Sequence, residues 1–304
     1  MINDNDLDYE LIAATFTPFK QNLELNTSII NGLVEKLIKD GVKGFFVAGT
    51  TGEGLSLTVE ERMKLAEKFM ESVDDKAKVI IHVGALSLED SKKLAKHARD
   101  IRAHGISLLL PFYYKNVEIE QYIEFLNQVA KVAEGLPMYL YHIPSLTGIS
   151  LDLDQFLDRA INGIATFAGV KYSSPNLMEL MLMKQKYDWL KFYFGVDEMM
   201  MYALPIRVDG FIGSTYNFAP RLYMQIIEAF REGNIDKATE LQRLSLKTVQ
   251  VLSRFGGLPA LKAVMKLIGF DLGPCRPPLK SFDYARLPEL ERSLKEIGVL
   301  DLLG

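Results

Sequence analysis

The chain has a single cysteine, Cys275, which excludes an intramolecular disulfide and any site built on two cysteine ligands, and this fits a reducing compartment. Histidine is almost as scarce. His82, His97, His104 and His142 fall on separate segments, and none has a partner at a metal-binding spacing, so no metal centre is expected. Excess positive charge is missing too: 35 Lys and Arg against 39 Asp and Glu give a net charge of -4, which leaves no footprint for nucleic acid or an anionic membrane. No apolar run is long enough to span a bilayer, and the acidic residues 1–10 lack the basic start and apolar centre of a signal peptide. A cytoplasmic protein is expected. Low-complexity stretches, interdomain linkers and sequence repeats are likewise absent.

What is there is an ordinary globular composition, 48% hydrophobic and 24% charged over 304 residues, sufficient for a large core. Short apolar runs alternate with segments of helical spacing. The strands fall at 11–15, 44–47, 79–83, 106–110, 138–141, 167–171, 191–194 and 210–212, and the helices at 26–39, 58–73, 87–104, 117–133, 152–161, 176–186, 199–204 and 221–232. Eight successive βα units without a break predict an α/β fold, a closed (β/α)8 TIM barrel, over residues 1–233. Residues 234–304 read as a C-terminal helical extension with helices at 235–253, 259–268 and 287–296, punctuated by Gly256-Gly257, Gly273-Pro274 and Pro277-Pro278.

One residue is out of place. Lys171 closes the apolar run Phe167-Ala168-Gly169-Val170, although an ammonium is almost never fully buried without a partner. Either it marks the strand end and its head group reaches solvent, or it is a nucleophile, since a desolvated amine can attack a carbonyl and form a Schiff base.

In such barrels chemistry sits in the loops at the C-terminal strand ends. Here strand two runs into Gly49-Thr50-Thr51-Gly52-Glu53-Gly54, strand four into Pro111-Phe112-Tyr113-Tyr114, and strand five into Tyr141-His142-Ile143-Pro144. Strand seven leads to Gly195-Val196-Asp197-Glu198 and strand eight to Gly213-Ser214-Thr215-Tyr216-Asn217. With Lys171 on strand six, all are expected at one mouth. The 49–54 loop offers flexible backbone and two hydroxyls, which suit a small anion such as a carboxylate or simply a glycine turn, and the Walker A spacing is absent. The Tyr141 hydroxyl can pass protons or anchor a strand end. Asp197 and Glu198 can accept hydrogen bonds from sugar hydroxyls or open a solvated helix. The methionines at 178–183 and 199–201 read as helix packing.

The motifs Gly49-Thr50-Thr51-Gly52-Glu53, Tyr141-His142-Ile143-Pro144 and Gly169-Val170-Lys171, in this order along the βα units, resemble those of the Schiff-base aldolase family that contains N-acetylneuraminate lyase and dihydrodipicolinate synthase. Within it, residues 49–57, 80–88 and 213–217 look most like the branch acting on sialic acid. The resemblance implies that Lys171 forms an imine with a keto acid without a separate cofactor, that Tyr141 shuttles protons, and that Thr50 and Thr51 hold the substrate carboxylate. It also implies that Ser173, Gly195, Asp197, Glu198, Gly213 and Ser214 bind the hydroxylated tail. Ser173 stands where bacterial lyases commonly have threonine, and it keeps the hydroxyl. Tyr113 matches a tyrosine lent across a subunit interface to a proton relay, which implies a homotetramer. The implied ligands are sialic acid, pyruvate and N-acetylmannosamine.

A dihydrodipicolinate synthase would need a second carboxylate site, typically an arginine two residues after Pro144. That position is Leu146, which cannot make the bidentate contact. Asp197 and Glu198 would also repel an anionic tail. Other keto-deoxy sugar acid aldolases remain open, as does an inactive ligand-binding barrel, because fold does not establish function.

Overall fold

The computed structural model describes residues 8–303, so the leader reading for residues 1–7 lies outside the described residues. Eight parallel strands close into one barrel in chain order: β1 (Glu10–Ala14), β2 (Gly44–Val47), β3 (Lys78–His82), β4 (Gly105–Leu108), β5 (Met138–His142), β6 (Phe167–Tyr172), β7 (Lys191–Phe194) and β8 (Gly210–Gly213). The connections carry α1 (Ile30–Lys39), α2 (Val59–Val73), α3 (Leu88–Asp100), α4 (Ile119–Val132), α5 (Pro144–Thr147), α6 (Leu153–Gly163), α7 (Leu177–Lys186) and α8 (Met200–Ala203). After β8 come α9 (Pro220–Arg231), α10 (Ile235–Arg254), α11 (Leu258–Leu267) and α12 (Leu287–Glu296). The TIM barrel with C-terminal helices expected from the sequence is the fold found.

The helix starts are written locally. Thr58 accepts from the Glu61 amide while the Glu61 carboxylate takes the Thr58 amide, a reciprocal cap that satisfies two otherwise orphaned donors. Ser87, Asp152 and Asn176 cap α3, α6 and α7 in the simpler one-way form. The expected helix over 199–204 is instead fragmented. A 3-10 turn over Asp197–Met199, the single turn of α8 and a further 3-10 turn over Leu204–Ile206 follow one another, with Pro205 opening the last. Proline has no amide hydrogen to donate and clashes with the preceding turn, so a regular helix cannot run through it.

Alternation along each strand sorts side chains into two layers. Leu11, Ala13, Phe45, Val79, Ile81, Leu140, Val170, Phe192 and Phe211 pack outward against the helices. Ile12, Ala14, Phe46, Ile80, Leu109, Tyr141, Tyr193 and Ile212 fill the barrel interior. The barrel is therefore a packed core whose upper layer is the floor of any site at its C-terminal mouth.

Candidate active site

The placement of Lys171 depends on an inserted residue. On β6, Phe167 pairs with Met138 and Gly169 with Tyr139, so Ala168 is an extra residue opposite β5. Strict alternation from the outward Phe167 would turn Lys171 outward; the bulge reverses the face, and Val170 and Tyr172 pack outward while Lys171 points in. Gly169 makes this geometry available. Its φ is 153°, and a Cβ there would stand 1.9 Å from the Lys191 carbonyl oxygen, so a side chain has no room.

Inside the barrel, Lys171 is level with Tyr141 on β5 and Tyr193 on β7 and is only 4% exposed. Its Nζ lies 3.7 Å from the centroid of the Tyr141 ring and 4.5 Å from that of Phe46. These rings shield the amine from bulk water while its tip reaches the cleft. The Tyr141 hydroxyl shares a hydrogen bond of 3.1 Å with Thr50 Oγ1. Amine, phenol and threonine hydroxyl thus form one contiguous set at the mouth.

Behind Tyr141 lies a residue that the sequence offered no reason to single out. The His82 ring stands edge-on to Tyr141 at 5.8 Å, and Arg62 donates to its Nδ1 at 3.2 Å and to the Gly84 carbonyl at 2.9 Å. Burial first, then the charges of Arg62 and Lys171, hold the imidazole well below the ordinary histidine pKa. A neutral ring accepting from Arg62 at Nδ1 carries its hydrogen on Nε2.

The 49–54 loop is braced rather than flexible, which corrects the sequence expectation. Thr17 donates to the Gly52 carbonyl at 2.6 Å, and the Gly54 amide bonds the Gly49 carbonyl at 3.0 Å. A Cβ on Gly54 would stand 1.8 Å from the Ala48 carbonyl oxygen, so glycine is there for close packing. Thr50 and Thr51 are left facing the cleft.

Across the cleft, Asp197 Oδ2 accepts from the Thr215 amide at 2.9 Å and the Thr215 hydroxyl at 2.6 Å. Tyr223 and Ser245 continue that chain, and Gln242 and Ser245 of α10 donate to the Asp197 carbonyl. Burial raises the Asp197 pKa, opposed by the Thr215 bonds and by Lys171, and burial with the neighbouring Asp197 raises that of Glu198. Ser173 Oγ is buried without a hydrogen-bond partner and faces the same space.

One cavity of about 230 Å³ collects Thr50, Thr51, Tyr141, Lys171, Ser173, Gly195, Asp197, Glu198, Gly213 and Ser214. Two of these act by being small. A Cβ on Gly195 would stand 2.2 Å from Ser173 Oγ, and one on Gly213 would stand 1.9 Å from Asp197 Oδ1. Tyr113 is not brought in: it is 71% exposed and packs edge-on against Tyr114. The strand-four loop takes the side of the mouth next to this cleft rather than lining the cleft itself. Leu109 takes the interior position above β4, and Phe112 lines a neighbouring cavity of about 360 Å³ that shares Thr50 with the first. The sequence also gave no hint that Val249, Leu252 and Ser253 of α10 and Leu261 of α11 wall the cleft. Val249, Leu252 and Leu261 read as ordinary helix packing, and Ser253 as an ordinary polar position of a helix end. Among the described residues, no group of three His, Cys, Asp or Glu side chains is placed to hold a metal ion.

Fold and cleft together define a (β/α)8-barrel protein with a buried lysine amine in the cleft at its C-terminal mouth. Residues 9–297 match the dihydrodipicolinate synthetase family. The chain is 40% identical over 296 residues to N-acetylneuraminate lyase of Homo sapiens, covering 95% of this chain and 92% of that one. The structure of Proteus mirabilis N-acetylneuraminate lyase superposes with a TM-score of 0.92 at 32% identity, covering 97% of this chain and all of the other. That of CdNal from Clostridium difficile, solved in complex with mannosamine, gives 0.89 at 26% identity over 95% and 99% of the two chains. The chain belongs to the dihydrodipicolinate synthetase family.

Proposed function

We propose that the protein is a Schiff-base aldolase that reversibly cleaves N-acetylneuraminate to N-acetylmannosamine and pyruvate. The observation that carries this reading is the inward, 4% exposed Lys171 sharing one cleft with the Thr50–Tyr141 pair on one side and Asp197 with Glu198 on the other. The similarity to N-acetylneuraminate lyases over nearly the whole chain supports the choice of substrate.

In this reading the neutral Lys171 amine attacks the C2 carbonyl of the keto acid, and loss of water leaves a protonated imine. Thr50 and Thr51 hold the C1 carboxylate. A base takes the C4 hydroxyl proton, the C3–C4 bond breaks, its electron pair moves into the imine, and the sugar leaves as an aldehyde. The resulting enamine is protonated at C3, and water releases pyruvate and the free amine. Tyr141 carries these protons, a role supported by its hydrogen bond to Thr50 and its ring against the Lys171 amine. Asp197, Glu198, Ser173 and Ser214 accept and donate hydrogen bonds to the polyol, with Gly195 and Gly213 leaving room for it. The imine with Lys171 takes the place of a separate cofactor.

Two separate exposed apolar surfaces support a homotetramer, whose dihedral symmetry uses two kinds of interface. One gathers Leu55, Leu146 and Leu279 around the second cavity, with Tyr113 next to its Phe112; the other is the Met178, Met181 and Leu182 face of α7. Tyr113 in this reading serves the partner's site. The single buried cysteine suits a cytoplasmic protein. Residues 1–233 are read as the barrel and 234–304 as its extension.

The test is borohydride reduction with pyruvate followed by peptide mass spectrometry, alongside assay of N-acetylneuraminate cleavage. A reduced pyruvyl adduct on Lys171 together with cleavage is expected. A protein that forms no adduct is a ligand-binding barrel, and the proposal is then wrong.

A further inference from the structure

Three residues beyond Thr50, the loop passes through Glu53, a non-glycine residue with φ of 53° whose side chain turns away from the cleft. It enters a closed compartment. Glu53 Oε1 lies 2.6 Å from Lys262 Nζ on α11, and the two side chains are 0% and 1% exposed. The contact at Oε1 is an ion pair without a directed hydrogen bond, whereas Oε2 accepts from the Arg276 amide at 2.7 Å. Lys262 also donates to the Pro274 carbonyl at 3.0 Å, and both Lys262 and the Arg276 guanidinium lie 4.5 Å from the Phe19 ring centroid. Phe19 in turn bonds the Leu272 carbonyl through its amide. The loop bearing Thr50 and Thr51 is thus fastened to the segment after β1 and to the C-terminal extension at one buried point.

Stability does not explain this pair. Two charges buried together recover little more than their desolvation, and apolar replacements are often as stable; their best-attested use is to fix one arrangement among several. What Glu53 fixes is the turn itself, because its amide donates to the Thr50 carbonyl at 3.0 Å and holds the threonines in register with Lys171. A left-handed non-glycine residue persists only where its surroundings over-determine it. Lys262 follows Leu261, which walls the cleft, so one helix turn touches both the cleft and its brace.

We propose that Lys262, acting through Glu53, is a positioning residue for the carboxylate-binding threonines, so that the C-terminal extension sets affinity for the keto acid. This rests on the aldolase reading above. It requires that loss of the pair weaken pyruvate binding while leaving the polyol end of the cleft intact, since Asp197 is braced separately by Thr215, Gln242 and Ser245.

The test compares the wild type with Lys262→Met, Glu53→Gln and the double variant. Three readouts are taken: half-saturating pyruvate for borohydride trapping at Lys171, half-saturating N-acetylmannosamine in the synthesis direction, and melting temperature. Lys262→Met is expected to raise half-saturating pyruvate by about 10- to 100-fold, the scale of a misplacement near 1 Å. Trapping at saturating pyruvate should approach the wild-type yield, and the N-acetylmannosamine value should stay within about twofold of wild type. The double variant, with no unpaired buried charge, should regain melting temperature and keep the weakened pyruvate binding. An unchanged pyruvate value in Lys262→Met, an equal shift for both ligands, or a double variant that recovers pyruvate binding along with its stability would overturn the proposal. A wild-type protein that traps no pyruvate would refute the aldolase reading instead, which keeps the two failures apart.

Discussion

The two ends of the cleft solve opposite problems. At one, Thr50 and Thr51 present hydroxyls on a braced loop, the charged Glu53 is turned away from the ligand, and the lysine amine is close by. At the other, Asp197 and Glu198 line the space, both with pKa values raised by burial. In the proposed reading an anion is accommodated at the first end and repelled at the second. A neutral polyol reverses the preference, because ionised carboxylates accept its hydroxyl hydrogens strongly. On that reading the cleft orients a substrate that is anionic at one end and hydroxylated at the other, with the bond to be broken lying between.

Removing the feature that joins the two ends should have the largest effect. Lys171→Ala is expected to abolish turnover, and Lys171→Arg as well, because a guanidinium stays protonated. Steady-state assay of variants with intact circular dichroism checks this, and more than trace activity would remove the imine from the account. Tyr141→Phe comes next. Loss of one positioned acid-base hydroxyl should lower kcat by about 10² to 10⁴-fold while pyruvate still forms some adduct, and an unchanged kcat would make the Tyr141–Thr50 bond purely structural.

The polyol end is tested more gently. Glu198→Ala should reduce kcat/KM for N-acetylneuraminate by about 10- to 150-fold, which corresponds to one charge-assisted hydrogen bond of roughly 1.5 to 3 kcal/mol. Borohydride trapping of pyruvate should be almost untouched, and equal losses in both assays would show that the ends are not independent.

The smallest effect concerns stability. Burial raises both carboxyls above their ordinary values of 3.8 for Asp197 and 4.5 for Glu198. Such groups bind protons more tightly folded than unfolded, so their contribution to stability is full below those values and is lost as pH rises through the folded pKa. Glu198→Gln is accordingly expected to melt higher than the wild type at pH 7, with the difference closing toward pH 4. A lower melting temperature at pH 7 would show that the ionised carboxylate is stabilising where it sits.

The barrel was legible because successive βα units carry their own periodicity, with local caps on α2, α3, α6 and α7. Lys171 stood out because a charge ending an apolar strand is anomalous, and the loop residues because hydroxyls, acids and glycines follow strand after strand. The bulge at Ala168 was not legible: alternation gives the face of a side chain only when no residue is inserted. Glu53 and Lys262 were hidden for another reason. They lie far apart in the chain, and each alone reads as a surface charge, so only closure of the fold reveals a buried pair. Tyr113 was legible only through the resemblance, since an exposed loop tyrosine meant for a partner's site carries no signal of its own in the chain that bears it.

On the proposed function, the cleft takes an anionic head and a neutral polyhydroxylated tail. The most direct test of this is the wild-type kcat/KM for cleavage of N-acetylneuraminate set against that for condensation of pyruvate with aspartate semialdehyde, whose tail carries a second carboxylate. Cleavage should be much the faster, because Asp197 and Glu198 line the tail end of the cleft and repel a second carboxylate. Faster condensation with aspartate semialdehyde would contradict the proposed function.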